Sequence, residues 1–81
     1  MDPEQIREEV RALIAEIIER DASDVSDETP LRDLGVDSMQ AIEIITDLEK
    51  RYKIKIAESE YRNVSTLANI TAFLQTKLAA R

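Results

Sequence analysis

With no histidine and no cysteine among 81 residues, the side chains left to do chemistry are carboxylates and hydroxyls. That removes the base of a Ser-His-Asp triad, cysteine nucleophiles, thiolate zinc sites and the HExxH zinc motif. Carboxylates alone would need a close acid and base pair, and no such pairing shows in their spacing. The single glycine, Gly35, excludes a GxGxxG turn and a P-loop. A calcium loop is the tempting reading of the acids in residues 21–37. Counted from Asp24, however, the sixth position is Thr29 where a glycine is needed, and the twelfth is Gly35 where a glutamate is needed. Among the hydroxyls is that of Ser38, in Leu34-Gly35-Val36-Asp37-Ser38-Met39. A serine hydroxyl without a base is a poor nucleophile, so Ser38 is expected to stay inert until another protein activates it. The chain therefore reads as a binding or carrier module with no catalytic residues and no metal site, not as an enzyme.

Helices must position that serine. Ile6, Val10, Leu13, Ile14, Ile17 and Ile18 fall on one face at helical spacing, which predicts a helix over residues 3–20. Asp2 can cap it, Pro3 suits its first position, and Gln5 stands where a capping-box partner would reach back. Residues 21–37 have no sustained period and read as a long loop, which Val25, Leu31, Leu34 and Val36 can pin to the core. Gly35 permits a tight turn, after which Asp37 and Gln40 form a capping pair for a second helix running to about residue 52.

At 100° per residue, Ala41, Ile44, Ile45, Leu48 and Tyr52 make the core face of that helix. Met39 and Ile42 lie off this face among Glu43, Thr46, Glu49 and Lys50, either packed under a loop or left as an apolar pair in an acidic surround. Tyr52-Lys53-Ile54-Lys55-Ile56 alternates like a strand, but nothing else in the chain could pair with it, so it reads as an extended connector. A helical turn is expected at 58–62. A last helix, capped by Ser65 or Thr66, carries Leu67, Ile70, Phe73, Leu74 and Leu78. The expected fold is all-α, a four-helix bundle of three long helices and one short one, in a single domain spanning 1–81.

Seventeen acids against eleven bases give a net charge of −6, which argues against a nucleic-acid partner. The charge is uneven: residues 21–49 hold nine acids and one base, while residues 50–81 hold two acids and seven bases. The middle of the chain is thus suited to steering toward basic partners. No apolar run approaches membrane-spanning length and the charged N-terminus is no signal peptide, so a cytoplasmic protein without membrane insertion is expected.

At this point the residues carry a resemblance. Leu34 to Met39 at the head of a long amphipathic helix, within the stretch from Thr29 to Ile56, resembles the phosphopantetheine-attachment region of the acyl carrier proteins. The likeness covers nearly the whole chain, including Thr-Pro-Leu near the end of the long loop and Thr66-Leu67 at the start of the last helix. It implies an acyl-carrier-like bundle in which a phosphopantetheinyl transferase moves 4'-phosphopantetheine from coenzyme A onto Ser38. Acyl groups would then ride on the thiol of that arm. It also implies that acyl-loading and synthase enzymes dock their basic patches on the second helix. Carried over by position, Asp37, Glu43, Asp47 and Glu49 are the acids of that surface and Met39 and Ile42 its apolar contacts.

A monomer is expected. Many fatty-acid carriers place acids where this chain has Gln40 and Lys50, and Lys50, Arg51, Lys53 and Lys55 form a basic cluster. That cluster reads either as ordinary helix-end cations or as a changed partner set. Ile44, Ile45, Leu48, Ile56, Tyr61 and Leu67 would wall an acyl chamber, or simply make core. Two other functions fit the same residues: an aminoacyl or peptidyl carrier, and an acidic helical interaction module whose Ser38 is never modified.

Overall fold

A computed structural model describes residues 2–80. Three α-helices, α1 (Pro3–Ile18), α2 (Ser38–Tyr52) and α3 (Leu67–Ala79), are joined by short 3-10 turns, and the described residues contain no strand. α1 packs against both α2 and α3. The short fourth helix is a 3-10 element, Glu58–Asn63, one residue longer than the turn expected at 58–62.

Asp2 caps α1 by accepting the Glu4 N–H at 3.0 Å. Gln5 does not complete a capping box: its amide donates to Glu9 at 3.4 Å, an i,i+4 neighbour on the exposed face. The helix also stops at Ile18, short of the expected residue 20. Glu19 turns left-handed at φ 57°, and the Arg20 N–H closes back onto the Ala15 carbonyl at 3.0 Å. Ile6, Val10 and Ile14 are buried as the periodicity requires, joined by Ala15, while Leu13, Ile17 and Ile18 pack at the edge of the core.

The long loop is pinned rather than free. Val25 and Leu31 are buried, Leu34 and Val36 pack against the core, and two 3-10 turns, Ala22–Asp24 and Leu31–Leu34, shorten its span. Polar ties reinforce this. The Arg11 guanidinium donates to the Val25 carbonyl and, at 2.9 Å, to the Asp27 carboxylate, while Asp27 uses its backbone carbonyl to accept the Ala68 N–H of α3 at 3.0 Å. One aspartate therefore holds the loop to two helices.

Gly35 closes the second of these turns at φ 87°, a conformation that L side chains rarely adopt. Nothing lies within 4 Å of where a Cβ would sit, so the cost of a side chain there is backbone strain alone. Gly35→Ala is expected to lower stability by about 1 kcal/mol, read from a denaturant midpoint shift at constant slope.

α2 buries Ile44, Ile45, Leu48 and Tyr52, with Ala41 half-buried at the margin of that face. It ends where Lys53 turns left-handed at φ 54°. The connector that follows is extended, with Ile54 and Ile56 buried and Lys53 and Lys55 outward. Its anchor is Glu49, whose carboxylate accepts the Ile56 N–H at 2.8 Å. Thr66, not Ser65, caps α3, accepting the Asn69 N–H at 3.0 Å.

Tyr52 lies between α1 and α2 and donates its hydroxyl to Glu9 at 2.8 Å, with Arg51 at 3.7 Å from the same carboxylate oxygen. Burial, and then the adjacent Glu9, push the Tyr52 hydroxyl well above the ordinary tyrosine value. The folded state thus favours the neutral phenol. Its contribution is complete below the unfolded value of about 10 and is lost as pH rises beyond it. Denaturation scans are expected to show the wild type losing stability above about pH 10, with a shallower alkaline limb in Tyr52→Phe.

Candidate functional site

The head of α2 is fixed by its cap. Asp37 accepts the Gln40 N–H at 2.8 Å, and Gln40 returns its side-chain oxygen to the Asp37 N–H at 3.4 Å, so the capping box read from sequence is present. The Ala41 N–H goes to the Asp37 carbonyl at 2.9 Å. That leaves the N–H groups of Ser38 and Met39 without a hydrogen-bond partner among the described residues, the usual condition of a helix start.

Ser38 is the first residue of this helix, exposed, and its hydroxyl has no hydrogen-bond partner among the described residues. Because Asp37 provides the cap, Ser38 has no structural duty at this position. No hydrogen bond joins Asp37 to the Ser38 hydroxyl, and the Asp37 carboxylate is turned to the Gln40 N–H.

Met39 and Ile42 stand out beside it, 81% and 48% exposed, the large exposed apolar side chains of the described surface. The packing of either residue under a loop is thereby excluded. Glu43 is exposed and Asp47 half-buried further along the helix, so Asp37, Ser38, Met39, Ile42 and Glu43 share one end. Asp47 sits about 14 Å from Ser38 along the axis at 1.5 Å per residue. Glu49 stands apart: half-buried and committed to Ile56, it faces the connector.

An open groove of about 550 Å³ runs beside Ser38, floored by Leu31, Val36, Ala41 and Val64, with Thr66 on its rim. It lies between the end of the long loop, the head of α2 and the start of α3. The Leu31 N–H, bonded to the Ser65 carbonyl at 2.8 Å, stitches its two walls together. Sequence reasoning missed this groove. The residues it weighed as chamber walls or ordinary core, Ile44, Ile45, Leu48, Ile56 and Leu67, are buried in the common core with Tyr61 packed against it, and none lines the groove. The signal available was the apolar residues of the loop and Val64, which contacts distant in sequence bring beside Ser38.

The site fits a covalently attached phosphodiester arm. The Ser38 hydroxyl is reachable and unbonded, two free N–H groups and the positive end of the helix dipole suit a phosphate, and an apolar groove opens alongside. Among the described residues no cluster of acids could hold a metal ion, and no helix is long and apolar enough to cross a membrane.

Comparison with known proteins agrees with this geometry. The sequence model of the family described as "Phosphopantetheine attachment site" matches residues 8–74. The chain is 33% identical over 79 residues to an acyl carrier protein of Exiguobacterium sp., covering 96% of this chain and all of the relative. It is 37% identical over 79 residues to the polyketide-8 synthase acyl carrier protein 2 of Streptomyces avermitilis, covering 96% and 86% of the two chains. It is also 34% identical over 73 residues to a non-reducing polyketide synthase of Aspergillus niger, of which the match spans 3%. An all-helical fold, an exposed serine at a capped helix head and a family match over most of its length together establish that this chain belongs to the phosphopantetheine-binding carrier family, that of the acyl carrier proteins.

Proposed function

We propose that the chain is an acyl carrier whose Ser38 hydroxyl is the attachment point of 4'-phosphopantetheine, placed there from coenzyme A by a phosphopantetheinyl transferase. The observation that carries this reading is that Ser38 is exposed and unbonded at the first position of α2 while Asp37 alone performs the capping. When bound, the group supplies a flexible arm ending in a thiol that holds acyl groups as thioesters.

The protein's own residues prepare the site. Ser38 presents its oxygen to the transferase, which supplies the base, since no side chain among the described residues hydrogen-bonds the Ser38 hydroxyl. The N–H groups of Ser38 and Met39 favour the negative charge of the phosphodiester once formed, and the adjacent Asp37 carboxylate keeps that phosphate from docking tightly. The groove floored by Leu31, Val36, Ala41 and Val64 offers apolar shelter to the arm or to the first carbons of its cargo.

Asp37, Glu43 and Asp47, with Met39 and Ile42 as anchors, form the docking surface for loading and synthase enzymes with basic patches. Glu49 adds its charge from the flank. Apolar anchors set within a polar rim are the usual anatomy of such a surface. The reading takes the chain as a cytoplasmic monomer that shuttles intermediates in fatty-acid, polyketide or related synthesis and catalyses nothing itself. Likeness both to an acyl carrier protein and to a polyketide synthase acyl carrier protein supports that range.

Intact mass tests the proposal. Incubation with coenzyme A, magnesium and a broad-specificity phosphopantetheinyl transferase is expected to add one phosphopantetheinyl group. A folded chain that gains nothing would instead be an interaction module of carrier shape. Thioester formation with acyl but not aminoacyl substrates would separate the acyl carrier from the aminoacyl or peptidyl one.

A further inference from the structure

The carrier reading leaves one surface unused. Among the described residues, Arg7, Arg11, Arg20, Arg32, Arg51 and Lys77 each lie within 4.0 Å of a carboxylate. Lys50, Lys53, Lys55 and Arg62 have no such partner. Three of these four follow one another along the end of α2 and the connector, and all three are exposed.

The dipole of α2 accounts for cations in its last turn, at Lys50 and Arg51, but its effect fades beyond the helix end. Lys53 terminates the helix in a left-handed conformation, where an asparagine or glycine would be less strained. Lys55 lies beyond the helix altogether. Its place, like that of Lys53, is an outward position of the extended connector, alternating with buried Ile54 and Ile56 and open to any polar residue. Lys53 and Lys55 also share the rim of one shallow hollow with Lys77, so the patch continues onto α3.

The location matters as much as the charge. Ser38 and Lys53 stand at opposite ends of a helix of about 22 Å at 1.5 Å per residue. The head of α2 bears the serine with Asp37 and Glu43, and its other end leads into Lys50, Lys53 and Lys55, with Glu16 and Asp47 sharing a hollow with Lys50.

We propose that Lys50, Lys53 and Lys55, with Arg51 and Lys77 beside them, form a second docking surface that receives an acidic protein surface while the Ser38 end is engaged elsewhere. The charge argument is independent of Ser38; only the simultaneous use of both ends rests on the carrier reading. An acidic protein fits better than an anionic bilayer. Peripheral lipid binding pairs cations with inserted apolar side chains, and the exposed apolar residues Met39 and Ile42 sit at the other end of α2. Nucleic acid is disfavoured because its affinity rests on many cations set against successive phosphates, and this patch holds few. Such an arrangement would tether the carrier to one component of a synthase by its lysine patch, leaving the Ser38 end to visit the others at raised effective concentration.

The test is a chemical-shift titration of the isotopically labelled full chain with a helical peptide bearing a stripe of glutamates. The same peptide with glutamines, phosphatidylglycerol vesicles and a DNA duplex run as separate arms. Shifts confined to residues 50–55 and 77, absent with the glutamine peptide, are expected. In Lys53→Glu/Lys55→Glu, binding should weaken by about tenfold or more while Ser38 loading by the transferase is unchanged. Failure of the glutamate peptide to bind, shifts spread over the Ser38 end, or equal binding to the vesicles or the duplex would overturn the proposal. Because loading is read in parallel, loss of the tether and failure of the carrier assignment give different results.

Discussion

Ser38→Ala is expected to abolish phosphopantetheinylation completely while leaving the fold in place. The two effects separate because the capping of α2 falls to Asp37 and not to the Ser38 side chain. Asp37 holds the helix head by its hydrogen bonds with Gln40, and Ser38 contributes none among the described residues. Alanine is also a better helix former than serine at an exposed first-turn position, so the stability change should stay within about 0.5 kcal/mol. Loss of the oxygen, in contrast, removes the only atom at this helix head to which the group could be ester-linked. Intact mass after incubation with coenzyme A and a transferase should show one added group in the wild type and none in the variant. Ser65→Ala, which alters the rim of the same groove, should still be loaded. Modification that persists in Ser38→Ala, or that disappears in Ser65→Ala alone, would move the site.

Most of this arrangement was legible in the sequence, for an identifiable reason. The capped head of α2, its inward face and the outward placement of Met39 and Ile42 all follow from helical periodicity and side-chain capping, which are local. The anchoring of the loop by Val25 and Leu31 was legible too, because a buried loop must bring its own apolar residues. What escaped depends on contacts distant in sequence or on exceptions to propensity. The early end of α1 is set by Glu19 in a left-handed conformation usually left to glycine, and no residue type announces it. Gln5 turns its amide N–H to Glu9, and its side-chain oxygen does not take the backbone N–H of the cap. Glu49 looks like a surface acid in any helical projection, yet a backbone N–H seven residues on claims its carboxylate. The groove beside Ser38 forms where the long loop meets the start of α3, joined by the Leu31–Ser65 and Ala68–Asp27 backbone bonds, which no periodicity encodes.

Two truncations on the same helix should have opposite consequences, and their contrast tests the division of α2 into a core face and a docking face. Leu48 is fully buried in the common cluster with residues of α1, the connector and α3, so Leu48→Ala removes three heavy atoms and leaves a cavity. Such a change costs about 3 kcal/mol, against a total stability of roughly 4 to 12 kcal/mol for a domain of this length. The melting temperature should fall by roughly 15 °C, and loading should fall only to the extent that the chain is unfolded at the assay temperature. Met39, 81% exposed, leaves no cavity when truncated, and Met39→Ala should melt within a few degrees of the wild type. If Met39 anchors the transferase, however, kcat/KM for loading should drop by about tenfold, the effect of losing about 1.4 kcal/mol at an interface anchor. Thermal melts and loading rates on both variants decide the matter. A stable Met39→Ala loaded at the wild-type rate would remove Met39 from the transferase-docking surface, and a Leu48→Ala that melts like the wild type would contradict the packing of α2 itself.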